Sequence, residues 1–300
     1  MKLATVTKDG NEMIVMEDVT SGKLLHIAQA LEEMGKDRIA IPTDMADLIE
    51  AGEEMVTAIQ EAAEYAQSKP HLFSLHEEVT FLAPIPRPKK NIFCVGKNYR
   101  DHAIEMGSEA DIPEHIMLFT KAPTTVIGNR VSIPSHSSLT KQLDYEGELA
   151  VVIGKEAKAV SKADAEKYIF GYTIINDVTA RDLQERHKQF FIGKSLDGSC
   201  PMGPYIVHKT AVEHPIKLQV QTKVNGELRQ NGNTEQFIFS IPEVIEVLSK
   251  GMTLEPGDII ATGTPAGVGK GFKPPKFLKP GDMIDITVEG IGTLTNRVEE

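Results

Sequence analysis

Two apolar runs that each meet acids at one end constrain this 300-residue chain more than any other feature. The first run is Leu149-Ala150-Val151-Val152-Ile153, entered through Asp144-Tyr145-Glu146-Gly147-Glu148. The second is Phe170-Gly171-Tyr172-Thr173-Ile174-Ile175, which ends in Asn176-Asp177. On a β-strand, residues i and i+2 share a face, so Glu146 and Glu148 project side by side from an element whose continuation is buried. An edge strand whose polar end meets water would account for the first segment alone. Asp177 at the end of a second apolar strand adds a third acid, and three oxygen ligands from two strand ends suit a hard cation. Neither segment contains His or Cys, so such a site would favour Mg²⁺ or Mn²⁺ over zinc and leave positions for water and substrate oxygens.

Composition narrows the classes. Hydrophobic residues make up 41% and charged residues 25%, the balance of a folded chain. The net charge of -11 repels a phosphate backbone, which argues against nucleic acid as a partner. Cys94 and Cys200 lie far apart with no CxxC or Cys/His cluster, against zinc, redox motifs and disulfides. The N-terminus MKLATVTKDG has no apolar signal core, and no apolar stretch approaches the ~18 residues of a membrane span. No membrane partner and a cytoplasmic location are therefore expected.

The chain reads as three parts: a small α/β unit over 1–70, a Pro-rich linker over 71–90, and a β-rich unit over 91–300. Residues 1–16 suggest a hairpin around Asp9-Gly10. Helical spacing follows over Leu24–Leu31 and again from about Asp44 to Gln67. Beyond the linker, strands are expected at Ile92–Val95, Leu143–Ile153, Ile169–Val178, Leu218–Val224, Asp258–Thr262 and Met283–Val288. Asn225-Gly226 is a type I′ turn signal. Helices are expected from Ser161 and from Ser240, the latter with Pro242 in its first turn.

Three further segments could carry chemistry. In VGKNYRDHAIEMGS, His102 and Glu105 stand three apart and share a helix face, where the carboxylate can orient and activate the imidazole. An ordinary solvated His/Glu pair is the competing reading, and Gly107-Ser108 supplies a hinge for a lid. Lys194, between Gly193 and Ser195, could face a developing oxyanion or simply water. The loop from Ala261 to Gly271 invites a phosphate-loop reading and fails it, because Gly271 follows Lys270 and Thr264 stands where the first glycine belongs. Its glycines suit tight turns beside a ligand.

Taken together, VGKNYRDH, the ExE of DYEGELAVVIG, NDVTARD, GKSLDGSCPMGP and TGTPAGVG resemble the fumarylacetoacetate hydrolase superfamily over about residues 91–298. The resemblance implies an α+β, β-rich fold: a mixed β-sandwich-roll catalytic domain with the small N-terminal α/β domain added. It also implies a homodimer and a divalent metal, Mg²⁺ or Mn²⁺, held by Glu146, Glu148 and Asp177. His102 and Glu105 would form the lid dyad and Lys194 the active-site lysine. Lys97, Lys121, Arg181, Gln184 and Thr264 fall where members contact substrate. Val95 stands seven residues before His102, where fumarylacetoacetate hydrolases proper carry a further Asp ligand. The chain is thus more similar to acylpyruvase and oxaloacetate decarboxylase-type members.

The expected activity is metal-dependent cleavage of a C–C bond in a 2-oxo acid, such as an acylpyruvate or a 2-oxo dicarboxylate, through a stabilised enolate. Hydrolysis needs water activated by the dyad, whereas oxaloacetate decarboxylation does not. Isomerisation of an unsaturated 2-oxo diacid, of the 2-hydroxyhepta-2,4-diene-1,7-dioate type, is a related chemistry. A non-catalytic carboxylate-binding regulator is the alternative from another class, and it would have no use for a general base.

Overall fold

The computed structural model describes residues 1–35 and 40–300; residues 36–39 of the expected N-terminal unit lie outside the described residues. At its centre, Gly147–Ile153 pairs antiparallel with Ile169–Asn176, and every residue of both strands is buried. On one flank follow Ile259–Ala261, then Ile92–Gly96 parallel to it, then Met117–Lys121. On the other flank lie Ile206–His208 and the N-terminal hairpin Lys2–Lys8 and Asn11–Glu17. Leu24–His26 and Phe73–Ser74 extend that edge, and Thr80–Phe81 pairs with Lys2–Lys8 off this path, completing an 11-stranded sheet. A separate four-stranded antiparallel sheet contains Glu227–Asn233, Gln219–Val224, Met283–Val288 and Gly292–Arg297. Asn225 and Gly226 both take positive φ, as a type I′ turn demands.

Period-2 alternation explains the layering. Leu149, Val151 and Ile153 face one core, shared with Val220, Ile284 and Ile286 of the smaller sheet. Ala150 and Val152 face a second core, shared with Ile27, Leu31, Leu48 and Ile59. Those last four come from the helices Ile27–Glu33, Met45–Glu50 and Gly52–Ala66. Each fully buried Leu or Ile contributes about 1.5–3 kcal/mol, so both faces of the central pair are anchored before any polar group is placed. The molecule is thus the β-rich α+β sandwich expected from the sequence.

Several elements differ from the expectation. Leu24 and Leu25 form a strand, and the helix begins at Ile27. The two leucines lie in opposite cores, which a strand permits and one helix face does not. The helix expected over 44–67 is two helices, broken where Gly52 takes φ +67°. The helix expected from Ser161 is one 3-10 segment, Ala165–Tyr168. There Ser161 Oγ donates to the Asp164 side chain at 2.7 Å, a local bond that competes with helical capping. The helix after Ser240 is present as Ile241–Gly251. The expected strand 143–153 divides into Leu143–Asp144 and Gly147–Ile153, with Tyr145 and Glu146 between them.

Candidate active site

The two central strands bring the acids together. Asp177 N–H donates to the carbonyl of Glu146 at 2.8 Å, and Glu146 N–H donates to the Asn176 side chain at 3.0 Å. Glu146, Glu148 and Asp177 are all buried, and each offers an oxygen within 4.8 Å of the other two. Lys194 Nζ donates to both Glu146 and Asp177 at 2.7 Å. Arg181 lies 2.7 Å from Glu146 and 2.8 Å from Asp144. Glu148 accepts from the backbone N–H of Gly263 at 2.7 Å.

Position separates the chemistry of the two glutamates. Burial alone would push the Glu146 carboxyl up, but Lys194 and Arg181 more than offset it and hold it at about 2. Glu148 has Lys194 and the Gly263 N–H in its favour, and they do not offset what opposes its charge. Burial and the charges of Asp177 and Glu146 raise its carboxyl well above the ordinary range. Lys194 shows the converse: burial disfavours its ammonium, and Asp177 and Glu146 outweigh that and raise its pKa.

A divalent cation fits this set. Asp177 Oδ1 is buried without a hydrogen-bond donor, Lys121 Nζ lying 2.9 Å away as an ion-pair partner only. Glu148 is a carboxylate whose charge is opposed by its neighbours, a cost that a bound cation would remove. All three donors are carboxylate oxygens, the hard ligand set of Mg²⁺ or Mn²⁺.

Above the acids opens a cavity of about 410 Å³, lined in part by Lys97, His102, Phe119, Arg181, Gln184 and Thr264. Its volume falls in the ordinary range for small-ligand sites. His102 and Glu105 are on the short helix Arg100–Glu105, as the spacing predicts. The pair is not a solvated one: His102 is 6% exposed, and its Nδ1 lies 3.3 Å from Glu105. Glu105 in turn accepts from Gly267 N–H, at 2.9 and 3.1 Å to its two oxygens. Gly267 has φ +107°, and a Cβ there would collide with the Arg229 carbonyl, so only glycine presents this donor. With Nδ1 engaged, Nε2 of His102 is the nitrogen left for chemistry.

Lys194 is held by helical structure on the floor of the cavity. It ends the one-turn helix Phe191–Lys194, which approaches Arg181–Arg186 closely because a Cβ at Gly193 would strike the backbone of Gln184. Lys97 is paired with Asp111 at 3.2 Å on the rim. Thr264 Oγ1 accepts from Gln230 and donates to the carbonyl of Gly147. Lys121 is fully buried beneath Asp177, donating to Val178, Ser199 and the Lys194 carbonyl, and it does not line the cavity.

Two residues that sequence reasoning passed over hold the site together. Asp144 accepts from the backbone N–H groups of Gly269 and Lys270 while pairing with Arg181, so it ties the glycine-rich loop to the acid cluster. Its signal was present as the first acid of DYEGE, but nothing local distinguishes it from Glu146. Asn98 is buried, donates to the carbonyls of Phe239 and Thr262, and accepts from Phe239 N–H. It roots the helix Arg100–Glu105 to the loop that serves Glu148.

A β-rich sandwich around such a cluster defines the class, and the comparison with known proteins agrees. Residues 91–299 match the profile described as Fumarylacetoacetate (FAA) hydrolase C-terminal, and the chain belongs to that family, as an enzyme of the fumarylacetoacetate hydrolase superfamily. More particularly, it is 58% identical over 294 residues to oxaloacetate tautomerase YisK of Bacillus subtilis, covering 96% of this chain and 97% of that protein. Among solved structures, a fumarylacetoacetate hydrolase from Exiguobacterium antarcticum aligns with TM-score 0.84 and 43% identity, over 100% of this chain and 99% of that one. Maleylpyruvate hydrolase from Sphingobium sp. SYK-6, in complex with manganese(II) and pyruvate, aligns with TM-score 0.76 and 29% identity, over the same shares.

Proposed function

We propose that this enzyme interconverts the keto and enol forms of a small 2-oxo dicarboxylate, with oxaloacetate as substrate. The observation that carries the reading is the cavity itself. A base whose second nitrogen is fixed by Glu105 faces a floor where Lys194 and Arg181 flank three carboxylates. Arg181 lies along the cavity beside Glu146, and its positive charge favours a substrate carboxylate there. His102 removes a proton from C3, with Glu105 stabilising the imidazolium, and returns it to the enol oxygen or to solvent. The ammonium of Lys194 stands where negative charge collects on the 2-oxo oxygen, an interaction that strengthens as the charge develops. A divalent cation bound to Glu146, Glu148 and Asp177 would supply a Lewis acid for the same oxygen. Relatedness to the Bacillus tautomerase supports oxaloacetate as the substrate.

Hydrolytic C–C cleavage of an acylpyruvate is the second reading, favoured by the same dyad, which can activate water, and by solved relatives named as hydrolases. Decarboxylation of oxaloacetate shares the enolate and needs no water. One preparation, loaded with Mn²⁺ or Mg²⁺, distinguishes them through three rates: loss of enol absorbance from freshly dissolved oxaloacetate, pyruvate formation from oxaloacetate, and acetylpyruvate cleavage. The proposal requires the first rate to exceed the others. Acetylpyruvate turnover faster than ketonisation would replace it with the hydrolase reading.

A further inference from the structure

The glycine-rich loop over 261–271 fails as a phosphate loop, and its N–H groups have another use: they hold carboxylates of the protein itself. Gly269 and Lys270 donate to Asp144 at 2.7 and 3.0 Å, and Gly267 donates to Glu105. One loop thus grips both the segment that carries the acids and the helix that carries His102. A third contact lies between these two. Tyr145 Oη donates to the Gly267 carbonyl at 2.7 Å, so Gly267 is held at its N–H by Glu105 and at its carbonyl by the residue that precedes Glu146. Tyr145 is 0% exposed and is not among the residues lining the cavity, so it meets no substrate. Arg229 covers its ring, the guanidinium 5.7 Å from the centroid, and the backbone carbonyl of Arg229 is the group that bars a Cβ at Gly267. Packing accounts for the ring, and the bond to Gly267 for the hydroxyl. Glycine is the residue whose backbone wanders most freely. Anchoring the Gly267 carbonyl narrows that freedom, and with it the direction in which the loop presents its N–H to Glu105.

On the reading that His102 is the base of the proposed function, we infer that Tyr145 is its positioning residue: through Gly267 the hydroxyl fixes the Glu105 carboxylate, and through Glu105 the ring of His102. Every link is short. The phenol meets the carbonyl at 2.7 Å, the Gly267 N–H meets the carboxylate at 2.9 and 3.1 Å, and the carboxylate lies 3.3 Å from His102 Nδ1. An ionised carboxylate can only accept, so the imidazole proton sits on Nδ1 and Nε2 keeps its lone pair for the substrate. A carboxylate that drifted from Gly267 would release the ring to the other tautomer, whose Nε2 carries the proton and cannot act as a base. Tyr145 stands between Asp144 and Glu146, so one short segment orients the base and the acids together.

Tyr145→Phe removes one hydroxyl and keeps the ring. At about pH 8.5, two units above the ordinary imidazole pKa, long-range proton–nitrogen NMR spectra of the full-length protein should show His102 as the Nδ1–H tautomer in the native chain and as a mixture with Nε2–H in the variant. This readout needs no turnover, so it tests the role of Tyr145 whatever the substrate is. For whichever 2-oxo acid the Mn²⁺-loaded enzyme turns over, kcat should fall about tenfold, the upper worth of one neutral hydrogen bond, while KM and Mn²⁺ affinity hold. In a Glu105→Ala background the same substitution should change neither the tautomer ratio nor kcat further. A native ring without the Nδ1 proton, or an unchanged tautomer in Tyr145→Phe, overturns the inference. So does an effect of equal size with and without Glu105, a loss spread over KM, Mn²⁺ affinity and kcat together, or a Tyr145→Phe chain that fails to fold, since each would give the hydroxyl a role in the fold alone. A native chain that turns over no 2-oxo acid while the tautomer responds as expected would refute the proposed function and uphold the positioning by Tyr145.

Discussion

Replacing Glu148 by Gln should change stability in opposite directions with and without metal. Three carboxylates whose ligand oxygens lie within 4.8 Å repel one another by about 3.5 kcal/mol per pair at an effective dielectric of about 20, before Lys194 offsets part of it. Glu148 receives the least compensation, so its carboxyl is raised well above 4.5. The sign follows directly. A group with a raised folded pKa binds its proton more tightly when folded, so its ionisation destabilises the fold as pH climbs from 4.5 through the raised value. Each tenfold gain in proton affinity on folding costs the ionised form about 1.4 kcal/mol, and at pH 8 the total cannot exceed about 5 kcal/mol. Gln removes the charge while its amide oxygen can still accept from Gly263 N–H, so no donor is orphaned.

In EDTA at pH 8, Glu148→Gln should therefore gain about 1–4 kcal/mol, or about 2–8 °C in Tm for a chain of this size. Mn²⁺ at a hundred times its Kd should stabilise the native enzyme by about 2.7 kcal/mol, and the variant, having lost an anionic ligand, by much less. Differential scanning fluorimetry in EDTA and in Mn²⁺, for both proteins, reads all four values. A variant that is less stable in EDTA, or one that gains as much from Mn²⁺ as the native chain, would refute the assignment of Glu148 as a strained ligand.

Other outcomes follow from the same geometry. Metal affinity should fall as pH is lowered, because a proton on the raised Glu148 carboxyl competes with ligation; calorimetric titrations over a pH series measure it, and affinity independent of pH would contradict the raised carboxyl. Glu146, held at about 2, stabilises the fold fully above 4.5, and that contribution should fade between 4.5 and 2 on acid titration; unfolding that ignores this window would count against its pairing with Lys194 and Arg181. Asp144→Ala should destabilise by about 3–5 kcal/mol in urea unfolding, since it removes one of the two carboxylates that pair with the buried Arg181 guanidinium and leaves two backbone N–H groups without their acceptor. His102→Ala should lower acetylpyruvate hydrolysis and oxaloacetate ketonisation by about 10²–10⁴-fold and decarboxylation by less. Equal losses in all three would leave His102 a positioning residue.

The acids were legible in the sequence because each meets the end of an apolar run: Glu146 and Glu148 stand at the entry to Gly147–Ile153 and Asp177 follows Ile169–Asn176, although the structure places Glu146 just outside the strand whose period-2 rule was applied to it. His102 and Glu105 were legible from their helical spacing, though the burial of His102 was not. What escaped depends on partners distant in sequence. Asn98 takes its role from Phe239 and Thr262, more than a hundred residues away, and Asp144 from Gly269 and Lys270. The depth of Lys121 could not be read from its neighbours either, since the strand that carries it is otherwise only partly buried. Leu24 and Leu25 read as helix because two adjacent leucines look the same there as in a strand with a core on each face.

Exchange of the C3 protons of oxaloacetate with solvent tests the central claim most directly, because every version of the proposed chemistry passes through an enolate at that carbon. In D₂O with Mn²⁺ or Mg²⁺, the native enzyme should wash deuterium into C3 well above the uncatalysed rate, and before pyruvate accumulates. His102→Ala should lose that excess. Exchange no faster than in enzyme-free solution, under conditions where the protein still cleaves a 2-oxo acid, would contradict the account.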